Sequence, residues 1–417
     1  MPEASRTVVR PCRPEEYAEY FEMISDAFGG ELDEASCAWI VRQMGAERVL
    51  AAFVAESSGG PETMAGVTGA FPTTLTVPGG EVSTTALAGV GVRPTHRRRG
   101  VLTAMLRTQL DDERRRGIRT AILWASEPGI YGRFGFGVAT WRGVIDVEPS
   151  RARFRDAAPP QGRTRFVDAD EALRIFPPIY DRIRVREPGF LARNAEWWGY
   201  KLLDDLPRRR PNGRLFRVVH ELGGEPVGYA VYRLQVPFDD DGLPDGRLDV
   251  IDAQAVTPAA TRELWEYLFG IELMERVRAY RIAPDHPLLL ALADPRRLRT
   301  SLRDGIWLRL LDLPGALSAR GYAAEGSLVL DVADDFFADQ AGRWRLVVRQ
   351  GDARVERTTD APDLALDVEA LGMAYLGGTA FGALARAGRV REQSPGAAAR
   401  ADALFHTPHA PSCADDF

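Results

Sequence analysis

The first third of the chain alternates between two hydrophobic periods, which predicts an α/β order. Short segments rich in β-branched residues and bounded by Gly and Pro predict strands at Thr7–Val9, Val49–Ala55, Thr63–Val77, Ala86–Val92 and Thr120–Trp124. Segments with apolar residues every three or four positions predict helices at Pro14–Phe28, Leu32–Met44 and Gly100–Arg116. Strand, Gly-containing loop, helix and strand in this order are typical of an α/β domain.

A weak internal repeat predicts a second domain of the same kind. The predicted strand Arg163–Val167 and the predicted helix Asp170–Arg182 repeat the order seen at the start of the chain. The segment Val256–Trp265 resembles Val92–Val101, because in both a strand ends, a Pro follows two residues later and a helix begins. We therefore predict one domain at residues 1–149 and a second at residues 150–294.

The second copy differs from the first where a phosphate would bind. Arg262 and Glu263 lie near the place where the first copy has Gly100. A side chain and an acidic charge at that place disfavour a phosphate. We expect the second domain to be degenerate and structural.

Residues 295–417 follow the pattern of a separate α+β domain. Segments that look like antiparallel strands are Ser327–Val332, Gly342–Arg349, Ala353–Arg357 and Leu364–Val368. Helical periodicity is found at Val368–Leu376 and Phe381–Ala387.

Length and charge narrow the class of protein. A chain of 417 residues has room for two or three domains, and 45% hydrophobic and 27% charged residues are ordinary for globular proteins. The net charge of −6 disfavours a nucleic-acid partner and favours cationic small molecules. No stretch of about 18 apolar residues could span a membrane, and the first residues lack the apolar core of a secretion signal.

Cysteine and histidine usage predicts neither a disulfide framework nor a metal site. Cys12, Cys37 and Cys413 are widely scattered, which favours unpaired thiols in the cytoplasm. His406 and His409 have no third ligand at a suitable spacing.

The strongest local signal is the segment Val90–Thr103. A strand ends at Val92, and a basic turn then leads into a helix near Gly100. The start of a helix offers unpaired N–H groups to a pyrophosphate, and glycine lets the backbone approach it closely. Three consecutive arginines, Arg97, Arg98 and Arg99, add positive charge, although a solvated basic turn is the alternative.

The order of these residues resembles motif A of the GCN5-related N-acetyltransferases (GNATs), Arg/Gln-x-x-Gly-x-Gly/Ala after a strand. Arg97 and Gly100 match this motif, whereas Leu102 departs from its final Gly/Ala. The resemblance implies acetyl-CoA as co-substrate, with pantetheine along the strand and pyrophosphate at the helix start. The implied contacts are Val90, Gly91, Val92, Arg97, Arg98, Arg99, Gly100, Val101, Leu102, Thr103, Ser126 and Glu127.

Pro94–Gly100 and Ala125–Gly137 together resemble the enhanced intracellular survival (Eis) family of actinobacterial acetyltransferases. Fragments along the whole chain agree, from Tyr229–Arg233 to Tyr375–Gly378 and the terminal acidic-acidic-Phe. The resemblance implies two tandem GNAT-like domains followed by a domain similar to sterol carrier proteins. It also implies N-acetylation of amines, including aminoglycosides, and assembly into a hexamer.

The same resemblance assigns the reacting groups. Tyr131 lies at the position of the catalytic acid, and a phenol of pKa ~10 is close enough to a thiol of pKa ~8.5 to protonate the leaving thiolate. The terminal carboxylate of Phe417 is implied in the active site, where it would bind and orient the amine. Asp415 and Asp416 are expected to strengthen the negative field, although a frayed acidic tail is the alternative.

Three more residues are candidates for the amine pocket. Asp26 and Phe28 lie on the first predicted helix, and Trp39 lies on the second. Core packing is the alternative for the two aromatic side chains.

Two other functions remain open. The chain could be a non-catalytic acyl-CoA or lipid-binding protein whose third domain encloses an apolar ligand. It could instead acetylate protein lysines, because a negative terminus suits either kind of cation.

Overall fold

The computed structural model describes residues 7–55, 62–156, 159–204 and 212–417. The strands are β1 (Thr7–Pro11), β2 (Leu50–Val54), β3 (Thr63–Val77), β4 (Gly80–Val92), β5 (Thr120–Trp124), β6 (Gly137–Val138), β7 (Trp141–Val147), β8 (Gly162–Phe166), β9 (Leu215–Leu222), β10 (Glu225–Gln235), β11 (Gly246–Ala255), β12 (Met274–Ile282), β13 (Ser301–Asp304), β14 (Ile306–Leu310), β15 (Gly326–Ala333), β16 (Gly342–Arg349), β17 (Asp352–Arg357), β18 (Leu364–Asp367) and β19 (Val390–Glu392).

Helices connect and cover these strands. The α-helices are α1 (Tyr17–Phe28), α2 (Glu34–Met44), α3 (Val101–Arg115), α4 (Ala169–Arg184), α5 (Ala195–Lys201), α6 (Pro258–Phe269), α7 (Leu288–Ala291), α8 (Leu313–Ala319), α9 (Val368–Tyr375), α10 (Phe381–Arg386) and α11 (Ala397–Phe405). Short 3₁₀ helices lie at Pro14–Glu16, Ala46–Arg48, Pro94–His96, Pro128–Ile130, Gly132–Phe134, Pro149–Arg151 and Pro295–Leu298.

Two seven-stranded sheets have matching architectures. Their strand orders are β1-β2-β3-β4-β5-β14-β6 and β13-β7-β12-β11-β10-β9-β8. Each sheet contains a parallel pair, β4 with β5 and β11 with β12, and one α-helix connects the two strands of each pair. The two tandem α/β domains predicted from the sequence are thereby confirmed.

The two sheets exchange strands across the predicted domain boundaries. β7 lies before residue 149 but pairs with β12 and β13 in the second sheet. β14 lies after residue 294 but pairs with β5 and β6 in the first sheet. Sheet membership therefore departs from the boundaries at 149/150 and 294/295, because each domain completes its sheet with a strand from a distant part of the chain.

The third sheet, of order β17-β16-β15-β18-β19, belongs to the C-terminal α+β domain. β15, β16 and β17 are antiparallel, as predicted. The prediction was wrong for β18, which runs parallel to β15 from Leu330↔Leu364 to Ala333↔Asp367. Strand pattern gives the period of a strand but not its direction, so only the tertiary pairing decides this point.

Helix α1 carries Asp26 and Phe28, two candidates for the amine pocket, and lies beside β4. The helix ends at Gly29, which adopts φ +69° and donates its N–H to Ser25 O. Its last turns cross β4, where Ile24 lies next to Gly89 and Ala27 next to Gly91.

Within the described ranges, no helix combines the length and apolar character that a membrane crossing requires.

Candidate active site

The first sheet opens beside the end of β4. β4 pairs with β5 only from Thr84 to Leu87, although it continues to Val92. Beyond Leu87, β4 keeps its partner β3 on one side and loses β5 on the other. The backbone of Ala88–Val92 can therefore pair with an extended ligand as another strand would.

A β-bulge sits at the point where the strands separate. Gly89 and Val90 of β4 lie opposite the single residue Thr68 of β3. Gly89 has φ +61°, a conformation that glycine adopts without strain. The bulge bends β4 away from β5 and so opens the gap.

The loop after β4 leads directly to the start of α3. Gly100 precedes the helix with φ +82° and provides no side-chain cap, so the first N–H groups of the helix remain for a ligand. An added Cβ at Gly100 would meet no atom within 4 Å, which leaves open space in front of the helix. The arginines Arg97, Arg98 and Arg99 are exposed around this space.

The loop also contains one strained backbone position. Arg98 adopts φ +62°, which is uncommon for a residue with a side chain. Such conformations cluster where a loop is shaped for a ligand. Val101 is buried and Leu102 is half-buried, so these two residues offer only their N–H groups to a phosphate. The geometry fits the pyrophosphate of a CoA thioester.

Tyr131 lies in the loop that follows β5, between two 3₁₀ turns. Its carbonyl accepts from the N–H groups of Phe134 and Phe136, which closes the loop around it. The ring is buried and meets Phe136 edge-on, with centroids 6.3 Å apart. Burial, followed by the negative charge of Glu127, raises the pKa of Tyr131 above its ordinary value. Ser126 and Glu127 are exposed at the start of the same loop.

An internal ion pair that the sequence did not point to supports this loop. The guanidinium of Arg309, on β14, donates to the carbonyl of Phe134 and lies 2.6 Å from the carboxylate of Asp334. Both side chains are buried. Asp334 belongs to the loop after β15, so the third domain holds the loop of Tyr131 through Arg309.

Close packing against glycines adds to this support. An added Cβ at Gly135 would collide with the guanidinium of Arg309, and one at Gly137 would collide with the carbonyl of Glu369 on α9. The Gly-rich sequence around Tyr131 thus has a structural reason, because the third domain approaches the loop backbone directly.

The C-terminal residue reaches the same region. The ring of Phe417 lies 6.4 Å from that of Trp124, the last residue of β5. Trp124 Nε1 is buried and has no hydrogen-bond partner among the described residues. Asp416 is exposed and lies 3.1 Å from Arg281 of β12. The end of the chain is therefore docked beside the gap rather than frayed.

Asp415 does not add to the negative field, which corrects the expectation from the sequence. Its carboxylate is buried, 2.9 Å from Arg193 and 3.1 Å from Lys201. Arg193 and Lys201 also pair with Asp252, so these two cations neutralise both carboxylates.

The three candidates for the amine pocket lie in different surroundings. Asp26 and Phe28 are exposed at the end of α1, beside the open part of β4. Trp39 instead stacks on Tyr200 of α5 at 3.9 Å and donates its indole N–H to Glu196 O. Trp39 thus packs the first domain against the second, and its role in the pocket stays a prediction.

The second domain lacks the phosphate loop altogether. β11 ends at Ala255 and α6 begins at Pro258, whereas the first domain has residues 93–100 between strand and helix. Thr257 caps α6 by accepting from Ala260 N, and Pro258 has no N–H to offer. The sequence comparison set Arg262 and Glu263 against Gly100, but the residue before α6 is Thr257, five residues before Arg262. The expectation that the second copy holds no phosphate agrees with this geometry.

Both domains match the same family description. "Acetyltransferase (GNAT) domain" matches residues 8–139 and again residues 189–310, and "Sterol carrier protein domain" matches residues 313–414. The fold and the site define a GNAT-type N-acetyltransferase that uses acetyl-CoA, so a non-catalytic binding protein is not the right class.

Full-length relatives identify the family. An uncharacterized N-acetyltransferase of Streptomyces coelicolor is 38% identical over 405 residues, 96% of this chain and 97% of the relative. N-acetyltransferase Eis of Mycobacterium tuberculosis is 39% identical over 343 residues, 79% of this chain and 80% of the relative. The crystal structure of Eis1 from Mycobacterium abscessus has a TM-score of 0.83 at 32% identity and covers 98% of this chain and 100% of its own. The chain belongs to the Eis family of N-acetyltransferases.

Proposed function

We propose that this enzyme transfers acetyl from acetyl-CoA to primary amines of cationic small molecules such as aminoglycosides or polyamines. The observation that carries the proposal is the docked C-terminus, with Phe417 beside Trp124 at the gap between β4 and β5. A terminal carboxylate at this place attracts an ammonium group to the thioester. The exposed carboxylate of Asp26, at the end of α1, adds to the attraction.

Different residues bind the cofactor, donate the proton and orient the amine in the proposed reaction. The N–H groups of residues 98–103 and the arginines of the loop hold the pyrophosphate, and the open edge of Ala88–Val92 pairs with pantetheine. The neutral amine attacks the acetyl carbonyl, the C–S bond breaks, and Tyr131 gives its phenolic proton to the CoA thiolate. The second proton lost by the nitrogen returns to Tyr131 through water. The terminal carboxylate orients the ammonium, whose proton leaves through water, because an α-carboxyl of pKa ~3.5 is too weak a base to remove it alone.

Trp124 is a further donor in the proposed site. Its indole N–H has no hydrogen-bond partner in the described part of the chain and lies at the end of β5, next to the ring of Phe417. We propose that it donates to the acyl oxygen of the bound thioester, which would satisfy a buried polar group that is otherwise costly.

An acceptor screen tests the proposal. CoA release is followed with an aminoglycoside, a polyamine and a peptide with a single lysine, and mass spectrometry locates the acetylated nitrogen. We expect turnover of the small amines and no turnover of their fully N-acetylated forms. Acetylation of the peptide alone would favour a protein lysine acetyltransferase instead.

We also propose a cytoplasmic enzyme that forms a homo-hexamer, with domains bounded near residues 149 and 294. The absence of disulfides among Cys12, Cys37 and Cys413 suits a reducing compartment. Light scattering on the purified protein measures the assembly directly.

A further inference from the structure

The last residues of the chain run through the second domain as a buried, extended peptide. Residues 411–415 are buried and belong to no helix or strand. Ser412 donates its N–H to Pro188 O at 3.0 Å. Gly189 lies so close to the Ser412 carbonyl that an added Cβ would collide with it. The fit between tail and domain is therefore made at the level of the backbone.

The tail enters the gap of the second sheet. β11 and β12 pair in parallel only as far as Val250↔Ala279, although β11 continues to Ala255. β11 carries an extra residue at this point, Ile251, in its pairing with β10. The gap is the counterpart of the opening beside β4 in the first domain, and Ala414 lines it together with residues of β11 and β12.

A buried cluster of four charges holds the tail in this gap. Asp415 lies 2.9 Å from Arg193 and 3.1 Å from Lys201, which is the only lysine of the chain. Arg193 also lies 2.8 Å from Asp252 of β11. Two cations thus face two carboxylates, and without the tail the buried cluster would carry an excess positive charge.

Neutral groups complete the recognition of Asp415. The Tyr180 hydroxyl donates to Leu191 O at 2.8 Å and lies 3.2 Å from the carboxylate, and the guanidinium of Arg193 lies 3.7 Å over the Tyr180 ring. Burial raises the pKa of Asp415, but the charges of Arg193 and Lys201 outweigh burial and hold the pKa below its ordinary value. Asp415 is therefore ionised at neutral pH.

We propose that the degenerate second domain is a peptide-binding domain, whose former cofactor gap takes the chain's own acidic C-terminal segment as its ligand. Asp415 is the anchor, and Arg193, Lys201 and Asp252 are positioning residues that place Phe417 in the first domain. The binding of the segment is argued only from its contacts with the second domain. Its effect on catalysis rests on the proposed function.

The full-length protein tests the anchor. We expect Asp415→Asn to make carboxypeptidase release Phe417 at least about tenfold faster and to lower kcat by a similar factor, with unchanged affinity for acetyl-CoA. Asp285→Asn is the matched control, because Asp285 accepts from Ala410 N just before the buried segment; its release rate should equal that of the wild type. Equal release from Asp415→Asn and wild type would overturn the proposal.

A peptide in trans separates binding from catalysis. A chain that ends at Ala410 is mixed with a fluorescent peptide of residues 411–417, and binding is followed by fluorescence polarisation. We expect the native peptide to bind at least about tenfold more tightly than a peptide with the Asp415→Asn change, and only a free C-terminal carboxylate to restore activity.

The outcomes of the peptide experiment are distinct. Binding of both the native and the C-terminally amidated peptide, with activity from neither, would support the anchor and contradict the catalytic role of the carboxylate. No binding to a truncated chain that still binds acetyl-CoA would overturn the anchor. If the truncated chain does not fold, the release rate of the full-length Asp415→Asn variant decides.

Discussion

The ring of Tyr131 packs against Phe136 in an apolar cluster, and its hydroxyl makes no hydrogen bond within the described part of the chain. The hydroxyl is thus available to a substrate. We predict that Tyr131→Phe lowers kcat about 10²-fold, because general acids contribute on that scale, while acetyl-CoA still binds. Tyr267→Phe removes a hydroxyl that bonds Tyr232 in the second domain and should leave kcat unchanged. Normal turnover of Tyr131→Phe would assign the proton to another donor.

The raised pKa of Tyr131 predicts the alkaline side of the pH profile. Burial and Glu127 raise this pKa above 10, so the phenol keeps its proton at every pH below that value. The acceptor amine, of pKa ~10, loses its proton as pH rises. We therefore expect kcat/KM to increase from about pH 6 to pH 9 without a decline before about pH 10. A decline near pH 8 in a steady-state profile would contradict Tyr131 as the acid.

Gly100 precedes α3 at the proposed pyrophosphate site. An aspartate there would be strained at φ +82° and would place a negative charge against the phosphates. We predict at least a tenfold loss of acetyl-CoA affinity, about 1.4 kcal/mol, in calorimetry. Gly117 provides the matched control, because it has φ +77° and open space just beyond the other end of the same helix. Gly117→Asp should retain the affinity; equal losses in both variants would indicate a general defect of the helix.

At the scale of elements, the loop after β15 joins the third domain to the catalytic one. Asp334 accepts from Phe336 N and Phe337 N and pairs with Arg309, and Arg107 of α3 donates to Phe336 O. The loop therefore touches both the helix that would bind pyrophosphate and the strand that supports Tyr131.

We predict that Asp334→Asn destabilises the protein by about 3–5 kcal/mol, because it leaves the buried guanidinium of Arg309 without its counter-charge. Asp339→Asn is the control on the same loop. It removes an exposed partner of Arg114, and such pairs contribute about 0–1 kcal/mol. Denaturant unfolding measures both changes, and similar values for the two variants would show that the buried pair adds nothing.

At the scale of the whole molecule, the end of the chain connects the second domain to the first. The C-terminal segment is held by Arg193 and Lys201 of the second domain before its last residue reaches Trp124 of the first. We predict that a short Gly/Ser extension after Phe417 lowers kcat about 10²-fold, since a misplacement of one residue, ~3.5 Å, can cost that much. The same extension at Met1 should have no effect. Full activity of the C-terminally extended enzyme, verified by mass spectrometry, would leave Asp26 as the next candidate to orient the amine.

Local pattern was enough for many elements. β5 at Thr120–Trp124 and β16 at Gly342–Arg349 have the bounds predicted from sequence. The alternation of side chains that marks each strand and the residues that end it all lie within a few positions in the chain. The motif Arg97–Gly100 also predicted a loop that leads into a helix, since the loop and the start of α3 are consecutive in the chain.

Other elements could not be predicted from local pattern. β14 is a buried run, and nothing within Ile306–Leu310 states that its partner is Thr120–Trp124. The sequence comparison set Arg262 and Glu263 against Gly100, although the residue before α6 is Thr257, because the loop before α6 is shorter than the loop before α3. An aromatic side chain such as Trp39 suits a pocket and a stacking contact equally well. The position of α5, which carries Tyr200, determines that Trp39 makes a stacking contact.

The sequence by itself determined the class of this protein: the order of strands and helices, the arginine- and glycine-containing loop, and the acidic-acidic-Phe end. Only the tertiary structure decided which domain holds that end and what supports the catalytic loop. The bond from Arg309 to Phe134 spans 175 residues, and the bond from Arg193 to Asp415 spans 222. Contacts of such separation leave no periodic trace in the chain, because each depends on how whole domains pack rather than on the residues beside it.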